Sequence, residues 1–190
     1  MTETTMNPFK PVEIWDEIVV KVREGEEEKP VDAKHYHVRY MVGESEDKRF
    51  VDSGRDSVEP VHGKTLFIAP SVHKVHGEPF HYDVSAVQRI ALESNLDGRV
   101  RELNRAGQCQ DHPLVEVAYQ SAQVECCAMT KEDADKQTVP MQYLAGYVLG
   151  RKDGTVKIAL AKTVLESGVE YYENIHIIPE AIVQSWTCLE

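Results

Sequence analysis

Apolar residues fall at every second position in several stretches of this chain, and that spacing restricts it to sheet-rich folds. Val12, Ile14, Ile18, Val20 and Val22 share one parity, with Asp16 the exception. Such alternation turns one face of a strand to a core and the other outward. Between residues 34 and 42 the pattern recurs as Tyr36, Val38, Tyr40 and Val42, which sends His35, His37 and Arg39 to the opposite face. Phe50 and Val51 suggest a short third strand. Lys64 to Ala69 suggests another, stopped by Pro70.

The period changes after an irregular stretch broken by Gly77 and Pro79. Val84, Val87, Ile90 and Ala91 have helical spacing, with Asp83 or Ser85 placed to cap the first turn. Asp97-Gly98 ends that segment, and Arg99 to Arg105 extends it as a second helical piece closed by Gly107. This helix is expected to pack through Val87, Ile90, Ala91, Val100 and Leu103. Residues 107–113 form the expected boundary between two domains. Beyond it, strands are expected at 114–119, 143–150, 155–161, 172–178 and 182–189; residues 123–129 either continue the first of these or form the next strand, and 130–137 is a charged loop. Arg151 to Gly154 closes the hairpin, where Gly154 can take the left-handed conformation. The fold class that follows is α+β and mostly β. Residues 1–110 form a sheet with one or two helices, and residues 111–190 form a small β-barrel.

The block Leu144 to Leu160 (LAGYVLGRKDGTVKIAL), followed by IHIIPEAIV at 175–183, resembles short uncharacterised proteins of phages and bacteria. The resemblance implies an SH3-like or Sm-like barrel, and with it an origin in a mobile element. It brings no catalytic residue, and it does not extend into residues 1–110.

Charge narrows the partners. The chain carries 32 acidic and 21 basic residues for a net charge of −11, which repels phosphate backbones and disfavours direct nucleic-acid binding. Residues 1–60 hold 15 acids and 9 bases, residues 61–110 hold 5 and 6, and residues 111–190 hold 12 and 6. The ends are therefore acidic and the middle is near neutral. No apolar run reaches the roughly 20 residues of a membrane span, and the polar start, Met1 to Lys10, lacks a signal-peptide core. Cys109, Cys126, Cys127 and Cys188 match no zinc or secreted disulfide spacing, so reduced thiols in a cytoplasm are expected.

Three groups of residues stand out as sites. His73, His76 and His81, with His62 upstream and Asp83 beside them, offer imidazoles of the kind that bind zinc. His73 and His76 would meet on one turn. His35 and His37 form a second pair on one strand face. Arg89, Arg99, Arg101 and Arg105 make a basic patch suited to a small anion or an acidic partner, with Arg101 and Arg105 adjacent on a helix. The third group is a partner surface made of Glu26, Glu27, Glu28, Glu132, Asp133 and Asp135, together with the aromatics Tyr171, Tyr172 and Trp186.

No G-x-S-x-G elbow, phosphate-binding loop, dinucleotide fingerprint or H-E-x-x-H is present. Cys109 near His112 is the only close thiol–imidazole pair in the sequence. The reading that follows is a non-catalytic acidic module that binds a protein, and the resemblance to phage proteins implies a host macromolecule as that partner. Its alternatives are a metal- or anion-binding enzyme or sensor, and a structural subunit that forms a homo-oligomer.

Overall fold

The computed structural model describes residues 7–52, 58–75, 77–92, 99–108, 112–121, 128, 130–136 and 138–190. Among these residues thirteen strands join in one antiparallel sheet. They are β1 (Lys10–Glu24), β2 (Glu27–Asp52), β3 (Val58–Ala69), β4 (Val72–Lys74), β5 (Phe80–His81), β6 (Gln88–Leu92), β7 (Val100–Glu102) and β8 (Arg105–Gln108). After them come β9 (Leu114–Gln120), the short helix α1 (Lys131–Lys136), β10 (Met141–Lys152), β11 (Thr155–Leu165), β12 (Glu170–Pro179) and β13 (Val183–Leu189). The mostly-β class is as expected. Among the described residues no helix is long and apolar enough to cross a membrane.

The pairing repeats a plan that the sequence does not display. β1, β2, β3 and β6 run as a meander, and β7 returns to pair with β1. β9, β10, β11 and β12 run as a second meander, and β13 returns to pair with β9. A 3-10 turn, Glu180–Ile182, leads into that last strand. The two meanders share hydrogen-bonded ladders. Residues 33–37 of β2 pair with 161–165 of β11, β4 pairs with β10, and β8 pairs with β13.

Alternation builds three apolar clusters. Val12, Ile14, Leu66 and Ile68 fill the first meander. Val115, Val117, Tyr119, Leu144, Val156, Ile158, Leu160 and Ile178 fill the second. Between them lies a third cluster of Val38, Tyr40, Val72, Leu103, Leu114, Ala145, Tyr147 and Leu189. The expected core parity of 36, 38, 40 and 42 is met there, since Val38 and Tyr40 are buried and Tyr36 and Val42 pack against them. Of the alternating residues of β1 only Val12 and Ile14 are buried, and beyond Asp16 the others leave the core.

A charged knot crosses the middle cluster. Glu116 on β9 is 5% exposed. Arg105 grips it with both fork nitrogens, Nε to Oε1 and Nη2 to Oε2, each at 2.8 Å. Tyr40 donates to Oε2 at 2.8 Å, and Asn7 Nδ2 donates to the same atom at 3.2 Å. Arg105 Nη2 also donates to the Phe9 carbonyl at 2.8 Å. Burial, and then the Glu116 carboxylate, hold the Tyr40 hydroxyl well above its ordinary range, so it remains a donor. Burial alone would lower the Arg105 guanidinium, but its bonds to Glu116 outweigh that and leave it raised.

Among the described residues of 84–105, strands and a single turn replace the expected helix. Asp83 does cap a turn, accepting from the Ser85 amide at 2.9 Å, but the turn is a single 3-10 turn over Val84–Ala86. Ile90 lies in β6 and Val100 in β7, and both pack on the first cluster as strand residues. Their spacing of three and four fits a helix, yet β-branched residues beside open strand edges gain more from pairing. The tertiary partners, β3 and β1, decide the outcome. Phe50 and Val51 belong to the long β2, and the charged loop expected at 130–137 contains α1. The strand expected at 123–129 lies outside the described residues except for Ala128. The hairpin turn agrees with expectation. Asp153 and Gly154 both take positive φ, 53° and 71°, as a two-residue hairpin turn requires.

At Gly146 a side chain would collide with the neighbouring strand. A Cβ there would lie 2.4 Å from the Ala159 carbonyl oxygen and 2.8 Å from Ile158 Cγ2. At Gly43 the nearest atom would be 3.6 Å away. Gly146→Ala should therefore cost roughly 1–3 kcal/mol in urea unfolding, whereas Gly43→Ala should change stability by about 0.5 kcal/mol or less.

Candidate functional site

The most chemically distinctive surface is one face of β1, β2, β11 and β12. Register lays two rows across these strands. Asp16, His35, Thr163 and Tyr171 form one, and Ile14, His37, Ala161 and Glu173 form the other. Paired residues of antiparallel strands share a face, so the rows bring together side chains from both halves of the chain.

His35 and His37 stack with ring centroids 4.2 Å apart. His35 Nε2 lies 3.8 Å from Glu173 Oε1, too far for a hydrogen bond, and it is sealed from solvent without a partner. Glu173 instead accepts from Thr163 Oγ1 at 3.2 Å. Next along β2 lies Arg39, 7% exposed. Its Nη1 donates to the Val38 and Leu160 carbonyls at 2.8 and 3.0 Å. Burial first, then the like charges of His35 and Arg39, push His37 down to about 4, and Asp16 and Glu173 only partly oppose them. Burial and then Arg39 also lower His176 on β12.

The rim of this face is apolar. β12 pairs with β11 alone among the described residues. Tyr171, Ile175 and Ile177 on β12 are 51%, 46% and 62% exposed, and Val169 just before it is 48% exposed. A groove of about 440 Å³ runs beside it, lined by Val20, Lys21, Val22 and Arg23 of β1 with Tyr171 and Glu173. Within β12, Asn174 takes φ 52°, a conformation that asparagine tolerates better than most residues.

The residues singled out in the sequence are scattered. His73 and His81 face each other across β4 and β5, so His73 belongs to a strand and not to the expected turn. His81 Nε2 lies 3.3 Å from Glu78, and His76 lies outside the described residues. Among the described residues no three His, Cys, Asp or Glu side chains are grouped to hold a metal ion.

The arginines do not form the expected helical patch. Arg99 pairs with Asp16 at 3.2 Å, Arg101 with Glu13 at 2.9 Å, and Arg105 with the buried Glu116. Arg89 sits on β6, 5.6 Å from the Phe67 ring centroid. Arg101 and Arg105 occupy different strands, which replaces the expected helical adjacency.

Glu26, Glu27 and Glu28 lie at the β1–β2 hairpin tip, and Glu132, Asp133 and Asp135 lie on exposed α1. Some are paired, Glu28 with Lys21 at 3.7 Å and Glu132 with Lys136 at 3.0 Å. Trp186 is half-buried against the second cluster, with the Arg151 guanidinium 4.0 Å from its ring centroid. Of the two tyrosines, Tyr171 is exposed while Tyr172 packs against the middle cluster and donates to Glu170.

Cys188 is disulfide-bonded, contrary to the expectation of reduced thiols, and the other three cysteines lie outside the described residues. Cys109 of the thiol–imidazole pair is among them, and His112 contacts the Leu114 carbonyl through Nδ1 at 2.8 Å.

The chain matches no family model, no curated protein and no solved structure.

Two features escaped sequence reading. Arg39 has the parity of His35 and His37 and reads as an outward residue, yet its strand partner is the core residue Val12. The apolar rim was hidden because β12 carries apolar residues on both parities.

His37 gives this face a pH signature. Its folded value lies below that of a free imidazole, so the unfolded chain binds more protons between about pH 4 and 6.5. Stability should be intact above pH 6.5 and fall as the pH drops towards 4. His37→Gln should flatten this fall without removing it, because His73 and His176 are also lowered. Thermal unfolding of both proteins from pH 7.5 to 4.5 measures the difference.

Proposed function

We propose that this chain is a non-catalytic protein-binding module that docks its partner along β12. The exposed apolar series Tyr171, Ile175 and Ile177 on the outer strand of the sheet, with Val169 just before it, carries the reading. An outer strand offers a row of backbone donors and acceptors, and alternate apolar side chains add specificity to strand addition. The partner would supply an extended segment with apolar residues at alternate positions. Acidic groups at the β1–β2 tip and on α1 would speed the approach of a basic partner.

Strand order supports reading residues 114–189 as a small SH3-like barrel. Four strands form a meander, a 3-10 turn follows, and the fifth strand returns to the first. Together with the resemblance to phage and bacterial proteins, this favours a host macromolecule as the partner.

The test uses Ile175→Glu with Ile177→Glu. Both residues are exposed, so the double variant should unfold within about 1 kcal/mol of the wild type. Wild-type bait should retain a partner from its native source that the variant loses, and rising salt should slow the capture. Equal retention by both baits would overturn the reading. Light scattering across a concentration series identifies the case in which the docked strand comes from a second copy.

A further inference from the structure

Arg39 is buried without a counter-charge. Its guanidinium is always protonated, yet among the described residues no carboxylate lies within ion-pair distance. Its hydrogen bonds are two, both from Nη1 and both to backbone carbonyls. Nε and Nη2 have no partner, and neither is sealed from solvent, since His35 Nε2 is the sealed atom without one among the described residues.

The half-buried Arg105 shows what is missing. Arg105 presents the same edge, Nε and Nη2, and both atoms grip Glu116. That edge matches the two oxygens of a carboxylate or a phosphate group. A buried charge held only by carbonyl dipoles is costly, and a bound anion removes the cost.

We propose that the Nε–Nη2 edge of Arg39, with His37 beside it on the same strand face, is a binding site for a small oxyanion. His37 has its charged form disfavoured and offers a neutral imidazole N–H to the ligand. His176 is close enough to feel the Arg39 charge. Asp16 and Glu173, the carboxylates that act on His37, lie in the rows of His35 and His37. Neither pairs with Arg39, because Asp16 is taken by Arg99 and Glu173 accepts from Thr163. The proposal does not rest on docking at β12.

The experiment is a nitrogen-detected NMR titration of the full chain with sodium phosphate, sodium acetate and sodium chloride at matched ionic strength. Phosphate or acetate should shift the Arg39 Nε–H and His37 ring signals saturably, and chloride should not. Tighter phosphate binding identifies a phosphate group as the natural ligand, and tighter acetate binding identifies a carboxylate. Arg39→Gln should weaken binding about tenfold or more, and His37→Ala should weaken it severalfold. If Arg39→Gln fails to fold, the wild-type Arg39 signal and the His37→Ala variant decide. Shifts that never saturate, that are equal in chloride, or that are unchanged in His37→Ala would overturn the proposal.

Discussion

Glu116 lies beneath strands from both halves of the sheet and accepts hydrogen bonds from Arg105, Tyr40 and Asn7. Each donor comes from a different part of the chain: β8, β2 and the segment before β1. A buried carboxylate has a large desolvation cost, and here the fork of Arg105 and two neutral donors offset it. Removing one member of such a pair typically costs about 3–5 kcal/mol, because the other charge is left unpaired. The net contribution of the intact knot is smaller, since an apolar substitute of similar shape is often as stable. It ties β8, β2 and the segment before β1 to β9, so a docking that separated them would leave a charge unpaired in the middle cluster.

That arrangement positions the functional face. With the meanders held together, β2 of the first pairs with β11 of the second, and β12 is carried to the outer side. His35 and His37 then share rows with Thr163 and Glu173 across a ladder that neither meander could make alone, and Arg39 beyond it donates to the Leu160 carbonyl. The molecule thus treats buried Arg39 and half-buried Arg105 differently. Arg105 is neutralised by the chain itself, whereas Arg39 keeps its fork open beside the face that carries the apolar rim.

Much of the fold was legible in the residues. Alternation identified β1, β2, the β10–β11 hairpin and the last strand, and it assigned Val38 and Tyr40 to a core. Residues 84–105 were misread because their apolar spacing fits a helix, and only the open edges of β3 and β1 make a strand the better choice. The repeated strand order is invisible in the sequence because it resides in pairing, which many apolar patterns can satisfy. The site was less legible still. Arg39 and Glu116 look like ordinary polar positions until register places them, Arg105 reads as a patch residue and not as the partner of Glu116, and the expected histidine and arginine groups separate onto different strands.

The central claim is that the two meanders form one cooperative body locked by the Glu116 knot. Nature has placed one tryptophan in each, Trp15 on β1 and Trp186 on β13. Trp186→Phe leaves a reporter for the first meander and Trp15→Phe leaves one for the second. Urea unfolding of each variant, followed by tryptophan fluorescence and by far-ultraviolet circular dichroism, compares local with global melting. The account predicts that the two signals coincide within each variant. A fluorescence midpoint clearly displaced from the circular dichroism midpoint in either variant would contradict it, because the meanders would then be melting separately.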